Sequence, residues 1–227
     1  MNRKAKFLLT LAAAATIVVV LVLSSFGGML GKDSLYSVTA EQWQAAFGDE
    51  AYIQKIYNNV TIEISGGRDN DYMILAAANR GLMLDNKAAD KKLICVPTED
   101  GFTSYVWNYS TEIWEIHDGK AEGVDACLYT YLPGYVDIAM EGLKGAFEKA
   151  SFDYKEKCYI ITVEKQEKPA NGETVGTKTM HCRVFFENGM LVRLETEIIS
   201  ATTLIMRLYN IGVTQVTAPI IEEEIPQ

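Results

Sequence analysis

Apolar residues recur with three different periods along this chain, and each period predicts a different kind of element. From Phe7 to Phe26 the run is uncharged and largely apolar, preceded by Arg3, Lys4 and Lys6 and followed by Gly27-Gly28. A helix over about 20 such residues rises about 30 Å, enough to cross the hydrocarbon layer of a bilayer. The next signal is helical. Thr39-Ala-Glu-Gln42 has the form of a capping box, Val38 and Trp43 can staple across it, and Trp43, Ala46 and Phe47 share one face, with Gly48 placed to close the turn in the left-handed conformation. A further helical stretch, Asp49 to Tyr57, carries Ala51, Ile53 and Ile56 before Asn58-Asn59 interrupts it.

Beyond Asn59 the period becomes two. Val60 to Ile64 alternates, and Tyr72 to Ala78 is apolar enough for a strand buried on both faces. Gly81 to Leu84, Lys92 to Val96, Phe102 to Trp107 and Glu112 to Ile116 follow, separated by the turn-like stretches Thr98 to Gly101, Asn108 to Thr111 and His117 to Gly119. Short strands with tight turns predict an antiparallel meander. One helix interrupts it: Pro133 suits a first turn, and Val136, Met140, Leu143 and Phe147 recur at spacings of four, three and four, with Asp137, Glu141, Lys144 and Glu148 opposite. Burying that stripe on a sheet is worth about 6–12 kcal/mol before entropy. Strands then resume at Phe152 to Tyr154, Tyr159 to Val163, Thr179 to Glu187, Gly189 to Ile199 and Leu204 to Tyr209, and Asn188-Gly189 is a strong hairpin signal.

This element order, together with a last strand that runs into Tyr209-Asn-Ile-Gly212 and Val216-Thr-Ala-Pro219, resembles the LolA/LppX-type carrier superfamily over most of residues 37–219. The resemblance implies an α+β fold in which a curved antiparallel sheet, an open half-barrel, packs on one or two helices. It also implies a lipid-binding role, with an apolar cavity between sheet and helix. The N-terminal transmembrane or signal helix precedes that fold. Residues 1–31 form the signal peptide or anchor, 32–220 a single extracytoplasmic domain, and 221–227 an acidic tail expected to be disordered.

Charge and cysteine content refine the picture. The cations flanking the apolar run lie on its N-terminal side, which places the N-terminus inside and residues from Ser34 onward outside. Ser25-Phe26-Gly27 is a poor cleavage site and the run is long, so an uncleaved single-pass anchor is expected, with a cleaved peptide and secretion as the alternative. No cysteine stands at the end of the run, which excludes a lipid anchor there. Loss of Arg3, Lys4 and Lys6 with no acidic residue takes the formal net charge from −9 to −12. So acidic a surface argues against nucleic acid as a partner and leaves the N-terminal helix as the membrane contact. Four cysteines, Cys95, Cys127, Cys158 and Cys182, allow two readings. A hairpin folded about the Lys168 to Glu173 turn brings Cys158 almost opposite Cys182 and leaves Cys95 for Cys127, or all four are buried thiols.

Candidate chemistry is sparse. Neither G-x-S-x-G, H-E-x-x-H nor G-x-x-x-x-G-K occurs, C-x-x-C is absent, and His117 and His181 lack ligand spacing, so no catalytic residue, metal or cofactor is expected. Arg193, Glu195 and Glu197 share one strand face opposite Val192, Leu194, Thr196 and Ile198, the pattern of a solvated charged face. His117 is expected in an exposed turn and His181 in a structural mid-strand position. Aromatics are the better lead. Trp107, Tyr109 and Trp114 surround one hairpin, while Tyr129, Tyr131 and Tyr135 lead into the helix. Trp107, Trp114, Tyr129, Tyr131, Val136, Met140, Leu143 and Phe147 are therefore the candidate lining of a cavity for a lipid or other apolar ligand. The alternative is an envelope or cell-surface interaction domain whose packed core holds no ligand.

Overall fold

A computed structural model describes residues 35–67, 71–78, 80–119, 124–167 and 176–221. The apolar N-terminal run, the Lys168 to Glu173 turn and the acidic tail from Glu222 lie outside the described residues. Among the described residues no helix is long and apolar enough to cross a membrane.

Helix α1 (Ala40–Gly48) opens with the expected capping box: the Gln42 amide donates to Thr39 Oγ1 at 3.2 Å, and the Thr39 amide donates to Gln42 Oε1 at 2.9 Å. It closes differently from expectation. Gly48 remains helical, and Asp49 follows it in extended conformation (φ −85°, ψ 114°). The reason lies in the next helix, α2 (Glu50–Asn58), for which Asp49 is the N-cap, its Oδ1 accepting from the amides of Ala51 and Tyr52. An extended Asp can cap both helices at once, which a left-handed glycine cannot.

Eleven strands follow and pair into one open antiparallel sheet: β1 (Asn59–Gly66), β2 (Asp71–Ala78), β3 (Gly81–Asn86), β4 (Lys91–Pro97), β5 (Phe102–Asn108), β6 (Ile113–Gly119), β7 (Ser151–Asp153), β8 (Cys158–Glu167), β9 (Gly176–Glu187), β10 (Met190–Ile199) and β11 (Thr203–Tyr209). Their spatial order is β6-β5-β4-β3-β2-β1-β11-β10-β9-β8-β7. Two meanders thus lie side by side, joined in the middle where β1 meets β11 with Thr61 opposite Tyr209. The Asn188-Gly189 turn has both residues at positive φ (51° and 77°), the geometry that two-residue hairpins require. Two boundaries differ from expectation. Glu112 turns at φ 55° with its amide on the Asn108 carbonyl, so β6 starts one residue later than expected. His117 to Gly119 do not turn but continue β6 opposite Phe102 to Ser104.

Between β6 and β7 the chain passes from one end of the sheet to the other through helix α3 (Val124–Met140). Pro133 lies inside this helix rather than in its first turn, as its fixed φ permits at the loss of one hydrogen bond. The helix ends at Met140, short of Leu143 and Phe147, because Gly142 and Gly145 take positive φ (77° and 75°). A 3-10 turn, Phe147–Lys149, follows. The apolar stripe nevertheless seats as a unit: Val136, Met140 and Leu143 are buried in the core and Phe147 packs against it.

Candidate functional site

The pairing register assigns every strand residue to one of two faces. On the core face one cluster runs from Leu93 and Cys95 of β4, through Leu82, Leu75, Ile62, Met206, Leu194 and Val184, to Ile161 of β8. Near β8–β10 this face is closed by aromatic rings. Trp43 is fully buried, with ring centroids 4.9 Å from Phe47, 5.4 Å from Tyr159, 5.7 Å from Phe186 and 5.8 Å from Phe147. Its indole N–H donates to the Leu143 carbonyl at 2.8 Å. The Tyr159 hydroxyl accepts from the Val38 amide at 2.9 Å, which ties the lead into α1 to β8. Thr196, also buried, donates to the Ala139 carbonyl at 2.9 Å and so joins β10 to the last turn of α3.

Around α3 the polar contacts are structural. Tyr57 of α2 donates to Asp137 Oδ1, and burial followed by that hydrogen bond pushes its phenol up to about 12. Glu141 is gripped by Lys165 of β8 and by Lys178 of β9 at 2.8 Å, and both ammonium groups hold its carboxyl below the usual range.

The outer face carries two contrasting bands. Met83, Ile94, Tyr105 and Ile116 are direct cross-strand partners in succession, forming an apolar row over β3 to β6. Beside it, Trp107 and Trp114 pack edge to face at 5.3 Å, with the Lys92 ammonium 5.5 Å from the Trp114 ring. Across β1 and β8 to β11 the same face is charged. Glu63 accepts from Arg207 at 2.6 Å, while Arg207 (3.5 Å), Arg193 and Arg183 (4.0 Å) converge on Glu195. A shallow groove of about 450 Å³ runs here, lined by Ile160, His181, Arg183, Glu195, Ile205 and Arg207. Three guanidinium groups thus surround the Glu195 carboxylate, which makes it the hub of the ion pairs on this face. His181 meets Thr162 Oγ1 through Nδ1 at 3.1 Å. The chain beyond β11 folds back over this face: the Thr214 amide donates to Asn59 Oδ1 at 2.8 Å, and Val216 covers Gly81, where an added Cβ would lie 3.2 Å from Val216 Cβ.

Of the expected cavity residues, Val136, Met140, Leu143 and Phe147 come together in the core, whereas Trp107 and Trp114 do not join them. Trp107 and Trp114 pair with each other on the face opposite the core, because β5 and β6 turn Val106 and Glu115 to the inner side. Val136, Met140 and Leu143 are core residues beneath α3, and Phe147 belongs to the Trp43 cluster. Tyr129, Tyr131 and Cys127 have side chains outside the described residues. The Cys158–Cys182 pairing is corrected. Cys182 stands opposite Ile161 on the core face and Cys158 opposite no cysteine on the outer one, so their side chains diverge across the sheet. Both are free thiols, and burial raises the pKa of each. Cys95 meets Ser104 Oγ at 3.4 Å. His117 is exposed as expected, but in a strand, 3.7 Å from Glu115. Among the described residues no three His, Cys, Asp or Glu side chains gather as a metal site.

The apolar row was missed by reasoning along single strands. Its signal is a spacing of eleven residues, Met83, Ile94, Tyr105 and Ile116, one strand plus one turn each time. Among the described residues the fold is thus an open eleven-stranded antiparallel sheet carrying three α-helices. No protein-family model matches the chain, and no curated protein does.

Proposed function

We propose that the chain is a membrane-tethered, extracytoplasmic, non-enzymatic interaction domain, built on a curved LolA/LppX-like half-barrel whose interior is filled by its own side chains. Dimensions support the curvature. The eight strands from β4 to β8 would span about 34 Å if laid flat, wider than the reach of a 17-residue helix, about 25 Å, so a sheet that bends around α3 and the two N-terminal helices fits one continuous core.

The observation that carries the reading is the seating of α3. Leu132, Val136, Ala139 and Leu143 expose essentially no surface, so no water-sized void adjoins these four residues, on the apolar side of α3 and just beyond its end. Accessible apolar surface lies instead toward β5 and β6, where Ile113 and Ile116 are exposed. Native mass spectrometry of the full chain extracted from membranes tests this, with a ligand-free mass expected. Stoichiometric co-purified lipid would overturn it.

One observation favours a second reading. Phe102 and Val106, on the core face of β5, are only partly buried, which leaves the β5–β6 end as the place where an apolar ligand could enter. Ligand recovered from the wild type and lost in Val106→Trp would support that reading.

A further inference from the structure

The two ends of the open sheet are unequal. Strand β7 is three residues long, and the Asp153 carboxylate at its end is occupied by the amides of Lys155 and Glu156. A short, polar edge of this kind resists pairing with other chains. Strand β6 is seven residues long, contains no proline, lysine or arginine, and has one neighbour, β5. Ile113 and Ile116 on it are 56% and 52% exposed. Its protection is of another kind: Glu115 lies on the inner side beside Val106, a charge that only a partner of complementary chemistry accommodates.

We propose that β6 pairs antiparallel with β6 of a second copy, about a two-fold axis through Ile116. The inference rests on the reading of the chain as an interaction domain. Self-complementarity identifies the occupant. An antiparallel register centred on Ile116 sets Glu115 of each copy opposite His117 of the other, an acid facing a base twice over. In the single chain these side chains lie 3.7 Å apart on the inner side of β6 and are 43% and 60% exposed, so both can reach across. On the other face, Ile116 meets Ile116, and the row Met83, Ile94, Tyr105, Ile116 runs unbroken into its symmetry mate. Main-chain hydrogen bonds of the added strand supply affinity, and the paired side chains supply register. Tethering on one membrane raises the effective concentration of the two copies.

The test uses the full-length chain in detergent micelles, with the dimer constant measured by mass photometry. Glu115→Lys and His117→Glu each set like groups opposite one another and are expected to weaken the dimer about tenfold. The double variant E115K/H117E restores opposition and is expected to return to within about twofold of wild type. Under mild oxidation Ile116→Cys is expected to form a covalent dimer linked through position 116, while Ile220→Cys, 93% exposed in the wild type, does not. A monomer mass throughout, a dimer indifferent to both single variants, or equal cross-linking at positions 116 and 220 overturns the proposal. A ligand-free monomer removes the pairing and leaves the packed-interior reading standing. A dimer carrying stoichiometric lipid does the reverse.

Discussion

Replacing Thr196 by valine isolates one hydrogen bond between sheet and helix. The Thr196 hydroxyl donates to the Ala139 carbonyl at 2.9 Å in a fully buried site. Ala139 lies in the last turn of α3, where carbonyls lack their usual helical partners. The amide that would serve it, Leu143 N–H, donates to Met140 instead. Valine keeps the shape and removes the donor, which leaves a buried carbonyl without it at about 1–3 kcal/mol. Better burial of a methyl than of a hydroxyl offsets up to about 1 kcal/mol of this. The expected net loss is about 1–2 kcal/mol, or about 2–8 °C in Tm for a domain of this size. Urea titration followed by circular dichroism should show a lower midpoint at unchanged m-value. A midpoint unchanged or raised would refute the view that the Thr196–Ala139 link holds the end of α3 on β10.

Three further outcomes are expected. Gly142→Ala should destabilise by about 2–4 kcal/mol, combining positive φ with a Cβ placed 2.7 Å from Val163 Cγ1, whereas Gly145→Ala, equally left-handed but with no neighbour within 4 Å, should cost about 1–2 kcal/mol; comparative thermal melts decide it. The lowered pKa of Glu141 means that the unfolded chain binds its proton more readily. Its stabilisation is therefore full above the ordinary value of 4.5 and is lost as pH falls through the folded value. Glu141→Gln should flatten that acid limb of a stability-against-pH curve, and an unaltered limb would count against the Lys165–Glu141–Lys178 grip. Cys158 and Cys182, buried and with raised pKa, should resist iodoacetamide in the native protein and react on unfolding, as peptide mapping will report.

Elements with local causes were legible in the sequence. The Thr39–Gln42 capping box, the Asn188-Gly189 hairpin and the strand from Val60 to Ile64 depend on residues close in the chain, and each formed, although Thr61 is buried against Thr214 and interrupts the alternation. Misreadings arose where a distant or competing demand decided the outcome. Gly48 lost its expected role to Asp49, which caps two helices. The stripe from Val136 to Phe147 kept helical spacing, but Gly142 and Gly145 broke the helix while the buried positions were retained. For Trp107 and Trp114 aromatic character was visible but face was not, because face depends on a register propagated from β1 through five strands. The same dependence separated Cys158 from Cys182: a shift of one residue in pairing moves a side chain to the other side of the sheet.

The route of the chain through the sheet also dictates how it can fold. Nine of the ten strand neighbours are consecutive in sequence, and the exception is β1 with β11, where Thr61 meets Tyr209 across nearly the whole domain. Each meander can zip up from local hairpins, but the central junction must await synthesis of the last strand and the closure of a very long loop. During synthesis the first six strands therefore emerge with β1, a mid-sheet strand in the finished protein, still an open edge. The sheet has a single late-closing seam, and it lies at its centre rather than at its rim.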